Sequence, residues 1–160
     1  MILEKWILIL SIFLTLLLLF KYVSKNKILD AHISFLFMQV QTWIYGTIVV
    51  ENRLIEYPIR FIYYAYRVSL VFEYFIFPSI SVLFNLHFPT KKSFKHKILY
   101  VFSFPTVITL IEVLLEKYTK VIKYIHWSWF WSWITMLITL LISYWYYRWF
   151  FKKIKWLSTE

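Results

Sequence analysis

The sequence predicts an all-α integral membrane bundle of about five transmembrane helices, in a single domain over residues 1–160. Three observations lead there. The chain is 61% hydrophobic and 24% aromatic, with a mean hydropathy of +0.65. A soluble domain of this size is about 45–50% apolar and leaves much of its surface in water, so it has nowhere to hide this excess. The apolar residues also fall into five long runs separated by short charged connectors. Finally, Trp and Tyr gather at the ends of those runs, where their amphipathic rings suit headgroup depth.

The first run, 2–20, has the length of one crossing, about 20 apolar residues. It ends in Lys21, Lys25 and Lys27 with no small-residue cleavage site, which reads as a span rather than a signal peptide. Ser11 and Thr15 are its polar residues, so it faces lipid over most of its surface. The second run, 28–50, is less apolar. Its His32, Gln39, Thr42 and Gly46 recur at helical spacing and share a face. That face reads as a packing seam in which the single glycine permits close approach.

A charged connector over 51–60 contains Pro58, and a long run over 61–88 follows, holding Arg67, Glu73 and Pro78. At that length the third helix is expected to tilt, or to kink at Pro78. A lysine-rich connector over 89–97 leads to the fourth run, 98–116, with Pro105, Thr109 and Glu112. The fifth run, 125–147, is bracketed by Trp127, Trp129, Trp131 and Trp133 at one end and by Tyr144, Trp145, Tyr146 and Tyr147 at the other. Alternating tryptophans mimic a strand, but a lone strand leaves its backbone unpaired in lipid. The tail, 148–160, is basic.

Orientation follows from charge. Lys21, Lys25, Lys27, Lys91, Lys92, Lys95, Lys97, Arg148, Lys152, Lys153 and Lys155 fall on one side. They outnumber Lys5, Arg53, Arg60, Lys117, Lys120 and Lys123 on the other. The positive-inside rule then places the C-terminus in the cytoplasm and the N-terminus outside a cell membrane. The net charge of +10 is distributed among connectors rather than over one soluble face, which suits anionic headgroups and argues against nucleic acid. The chain has no cysteine, hence no disulfide, thiolate metal site or cysteine nucleophile. Scarce Gly and Ala beside abundant Ile, Lys, Phe and Tyr point to a low-GC bacterial source.

The candidate site residues are Arg67, Glu73, Glu112, Thr109, Tyr63, Tyr74 and Gln39. Ionisable groups within a span are costly and mark functional positions. Arg67 is expected about 9 Å below the start of span three, and Glu112 about 6 Å below the end of span four. Consecutive antiparallel helices touch, so these two are expected to pair, either as a structural lock or as a ligand site. Glu73, about 18 Å down, has no evident basic partner. The stripe Ser128, Ser132, Thr135, Thr139 and Ser143 reads as a packing seam. His32, His87, His96 and His126 lack metal-ligand spacing, and one glycine cannot build a phosphate cradle, so neither a metal nor a cofactor is implied.

From Phe72 onward the chain resembles an uncharacterised family of small multi-span membrane proteins of spore-forming Gram-positive bacteria. Phe77-Pro78, Pro89, Ile111-Glu112, Glu116-Lys117-Tyr118-Thr119, Ile122-Lys123-Tyr124, Trp127-Ser128-Trp129 and Tyr147-Arg148-Trp149-Phe150 carry the resemblance. It implies this topology and draws attention to the segment from Glu112 to Trp129, without assigning a reaction.

The functional expectation is non-enzymatic: binding of a lipid or small hydrophobic ligand, or service as an accessory to a membrane complex. Its partners are then the lipid bilayer, such a ligand, and a membrane protein or a second copy of the chain. The alternatives are a proton-coupled small-molecule transporter, with Glu73 exchanging the proton, and a membrane enzyme acting on lipid with Glu73 or Glu112 as acid or base.

Overall fold

A computed structural model describes residues 2–62 and 67–157, and the side chains of those residues up to 153. Five α-helices follow one another up and down: α1 (Ile2–Tyr22), α2 (Ile28–Glu51), α3 (Phe77–Leu86), α4 (Phe94–Tyr118) and α5 (Trp129–Leu157). A 3-10 turn, Lys25–Lys27, leads into α2, and a π-helical segment, Val71–Ile76, leads into α3. Two short strands, β1 (Ile55–Glu56) and β2 (Lys123–Tyr124), pair antiparallel with Ile55 opposite Tyr124. The N–H groups of Ile125 and His126 extend that pairing by donating to the Leu54 carbonyl at 3.0 and 3.1 Å. The two connectors at this end of the bundle thus form one structured cap. The Lys25 turn and the end of α5 lie at the opposite, tail end.

Three helices, Ile2–Tyr22, Lys25–Glu51 and Phe94–Tyr118, are long and apolar enough to cross a membrane. Val71–Leu86 is apolar but shorter. α5 is the longest helix, but Trp and Tyr at both ends leave it only a short strongly apolar middle. Length and apolarity therefore support three of the five expected spans directly.

The structure corrects the third run. A helix over 61–88 is expected from hydropathy, yet residues 67–69 are irregular and helix begins only at Leu70. Tyr57 and Val68 pack into the cap with Val50, Ile55 and Ile122. Arg67 accordingly lies at the cap and not within a helix. At the other end, α5 runs on from the expected span into the basic tail, as far as Leu157.

Pro78 accounts for the π-helical segment. It has no N–H to give, so carbonyls one turn earlier lose their donor. Phe77 bonds back to the Phe72 carbonyl, five residues away, instead of four. The stranded carbonyls are met from α2: Gln39 Nε2 donates to Tyr74 O at 3.0 Å, and Thr42 Oγ1 donates to Glu73 O. An unpaired carbonyl in an apolar setting costs several kcal/mol, roughly, so these two side chains tie α2 firmly to the kink.

Small residues are too few to let helix backbones touch, so rings fill the tail half of the core. Phe84 is fully buried there with Met38 and Leu140, against Phe88, Tyr100, Phe104 and Tyr144. Tyr100 also donates its hydroxyl to the Phe84 carbonyl at 3.1 Å, satisfying the end of α3.

Candidate functional site: a carboxyl-lined chamber

Between the cap and the aromatic core lies a chamber of about 150 Å³. α2 contributes Thr42, Tyr45 and Gly46 to its wall, and the cap contributes Ile55 and Tyr57. Glu73 and Phe77 enter from the π segment and α3, and Glu112 from α4. Trp127 and, from α5, Ser132, Thr135, Met136 and Thr139 close the remaining side. A second, apolar hollow of about 80 Å³ adjoins it, sharing Tyr57, Phe77 and Glu112 as common wall.

The Glu73 carboxyl is buried and accepts one hydrogen bond, from the Tyr57 hydroxyl at 3.0 Å. It lies against the single glycine: a Cβ on Gly46 would come within 2.9 Å of Glu73 Cδ. Glycine at position 46 thus leaves room for the carboxyl where it stands, and a larger residue would make the Glu73 side chain shift. Its place on the polar face of α2 was legible in sequence; the carboxyl it faces was not.

Glu112, partly buried, is held differently. Its Oε1 accepts from the Tyr124 hydroxyl at 2.8 Å and the Ser132 hydroxyl at 2.7 Å, while Trp127 Nε1 donates to Ser132 Oγ at 2.8 Å. Both tyrosines stay protonated. Burial and the neighbouring Glu73 carboxyl push the Tyr57 hydroxyl well above the usual tyrosine range, and burial and Glu112 do the same for Tyr124.

The expected Arg67–Glu112 pair does not form. Arg67 is exposed at the cap and reaches Glu51 at 3.4 Å. The reason is the late start of the third helix, which leaves Arg67 outside the bundle. Among the described residues no cation pairs with Glu73 or Glu112.

The remaining sequence candidates are dispersed. Gln39 caps the Tyr74 carbonyl, a structural task that occupies its amide. Tyr74 packs against the cap's apolar cluster. Thr109 is buried in α4, away from the chamber wall. Tyr63 lies outside the described residues. Sequence reading missed Tyr57 and named Tyr124 only within the resemblance, without a role, since both sit in short connectors where no periodicity marks them. Ser132 was visible only as part of a hydroxyl stripe. Among the described residues no group of three or more His, Asp or Glu is placed to hold a metal.

Chemically, the chamber combines two carboxyls, hydroxyls that donate to them, and apolar or aromatic walls. Comparison with protein-family models, curated proteins and solved structures finds no match to the chain.

Proposed function

We propose that the protein crosses the membrane five times, N-terminus outside and C-terminus in the cytoplasm, and binds a small hydrophobic amine in the chamber between Glu73 and Glu112. The membrane part rests on exposed apolar surface. Ile2, Phe13 and Phe20 on α1 and Leu99, Leu110 and Leu114 on α4 are all more than half exposed, which water penalises and lipid does not. The 16 residues from Val71 to Leu86 rise about 24 Å, close to the ~30 Å hydrocarbon core, with the cap then at headgroup depth.

The observation that carries the ligand class is the pair of carboxyls bordering one hollow with no cation paired to them among the described residues. Buried acids are costly unless paired, and a bound ammonium supplies that pairing. Tyr45, Tyr57 and Trp127 on the wall add ring faces that favour a cation. An engineered cavity of about 150 Å³ holds benzene, which sets the size of the ligand body.

Isothermal titration in detergent micelles, comparing benzylamine with benzyl alcohol, tests this. The amine is expected to bind at least about tenfold more tightly than its neutral analogue. Equal affinity for the two, or undiminished amine binding when both glutamates are replaced by glutamine, would sink the proposal.

A second reading, proton-coupled transport, draws on the tyrosines: each carboxyl bonds a hydroxyl of the cap segments, a short route for proton exchange. Amine uptake into liposomes driven by a pH gradient, and lost in Glu73→Gln, distinguishes transport from binding alone.

A further inference from the structure

A larger hollow, of about 820 Å³, lies at the tail end between α1 and α2. It exists because α1 packs mainly on the π segment and α3 rather than on α2. Leu16, Leu19 and Val23 form one wall, Ala31 and Phe35 the other, and Val82 of α3 the floor. Ala31 is one of only two alanines in the chain, and its small side chain keeps the slot open.

The slot is lined by apolar side chains apart from Lys25 and, on α2, His32, whose Nδ1 lies 2.8 Å from the Ile28 carbonyl. Lys25 lines its mouth, in the turn that also carries Lys27, with Lys21 in the last turn of α1. Lys27 is neutralised by Asp30 at 3.1 Å, whereas Lys25 has no acidic partner among the described residues. From Leu16 to Val23, or from Ile28 to Leu36, the walls run about 11–12 Å at helical rise, close to the depth of one leaflet of a ~30 Å core. The volume falls in the range of about 300–1,000 Å³ typical of small-molecule sites.

We infer that this groove seats one anionic phospholipid, its acyl chain against Ala31 and Val82 and its phosphate on Lys25. The inference rests on the membrane reading above but not on the amine chamber, which lies at the other end of the bundle.

Native mass spectrometry from mild detergent tests it, with phosphatidylglycerol and phosphatidylcholine of identical chains supplied in turn. One phosphatidylglycerol per chain is expected, retained about fivefold better than phosphatidylcholine, the contribution of a single lysine at an anionic surface. Lys25→Gln should abolish that preference while leaving the residual binding of both lipids. Ala31→Phe, or Val23→Phe should the first variant fail to fold, fills the slot and removes bound lipid of either kind. Circular dichroism and the thermal midpoint confirm that the variant tested is folded. Equal retention of the two lipids by the unmodified protein overturns the assignment, as does lipid binding undiminished in a folded slot-filling variant. A lipid-free dimer would assign the groove to a second copy instead. A chain that stays monomeric in detergent-free buffer overturns the membrane reading itself, and with it the lipid.

Discussion

Two clusters of polar side chains inside the bundle, one at each end, are built on opposite plans. At the tail end, Ser81 Oγ meets Ser143 Oγ at 2.6 Å, and Asn85 Nδ2 donates to Ser143 Oγ at 3.0 Å. These groups are neutral, fully or almost fully buried, and in direct contact across α3 and α5. At the cap end, Glu73 and Glu112 border a hollow, and each is bonded by hydroxyls without touching the other. The first arrangement pairs its two hydroxyls and the Asn85 amide nitrogen across the helices, leaving the Asn85 amide oxygen buried without a hydrogen-bond partner among the described residues, and acts as a fastening. The second gathers ionisable groups around space, as a ligand site does and a fastening need not.

Variants that probe each centre separately sharpen the contrast. The largest effect is expected from Glu112→Gln and Glu73→Gln: benzylamine affinity should fall about 30-fold or more in either, with the thermal midpoint held or raised. A midpoint that collapses while affinity is retained would make the chamber a fastening too. Asn85→Leu should show the reverse. It removes an interhelical hydrogen bond worth about 0.6–1.7 kcal/mol in membrane proteins, lowering stability in unfolding titrations while leaving amine binding intact.

Gly46→Ala is expected to act on the chamber more gently. The added Cβ meets only the Glu73 side chain, which is able to swing, so stability should change little while amine affinity drops several-fold. Binding equal to that of the unmodified protein would mean that the Glu73 position is not critical. The smallest effect belongs to Arg67→Ala. Its pairing with Glu51 is solvent-exposed, and losing it should cost less than ~1 kcal/mol and no amine affinity. Loss of binding there would restore Arg67 to the site.

Orientation is open to a separate check. The chain has no cysteine, so a single introduced thiol is unambiguous. Glu56→Cys should react with an impermeant maleimide added outside intact cells, and Lys92→Cys only after lysis. The opposite pattern would invert the proposed topology.

The sequence by itself determined the helical class, the positions of the long apolar helices and the polar face of α2. These follow from local composition and a 3.6-residue period, which leave their mark in any window of the chain. It also marked Glu73 and Glu112 as unusual, because a carboxyl in an apolar run is conspicuous whatever it touches. Tertiary structure decided the rest. Hydropathy cannot tell an aromatic span from an aromatic interface segment, so the run through 61–69 read as helix although its described flanks fold into the cap. Partner choice depended on that boundary: with Arg67 outside the bundle, Glu112 found Tyr124 and Ser132. Tyr57, from a connector sixteen residues before Glu73, reached its carboxyl only because the β1–β2 pair folds the connectors over the helix ends. Such contacts join residues whose separation in sequence carries no period, and only the packed bundle brings them together.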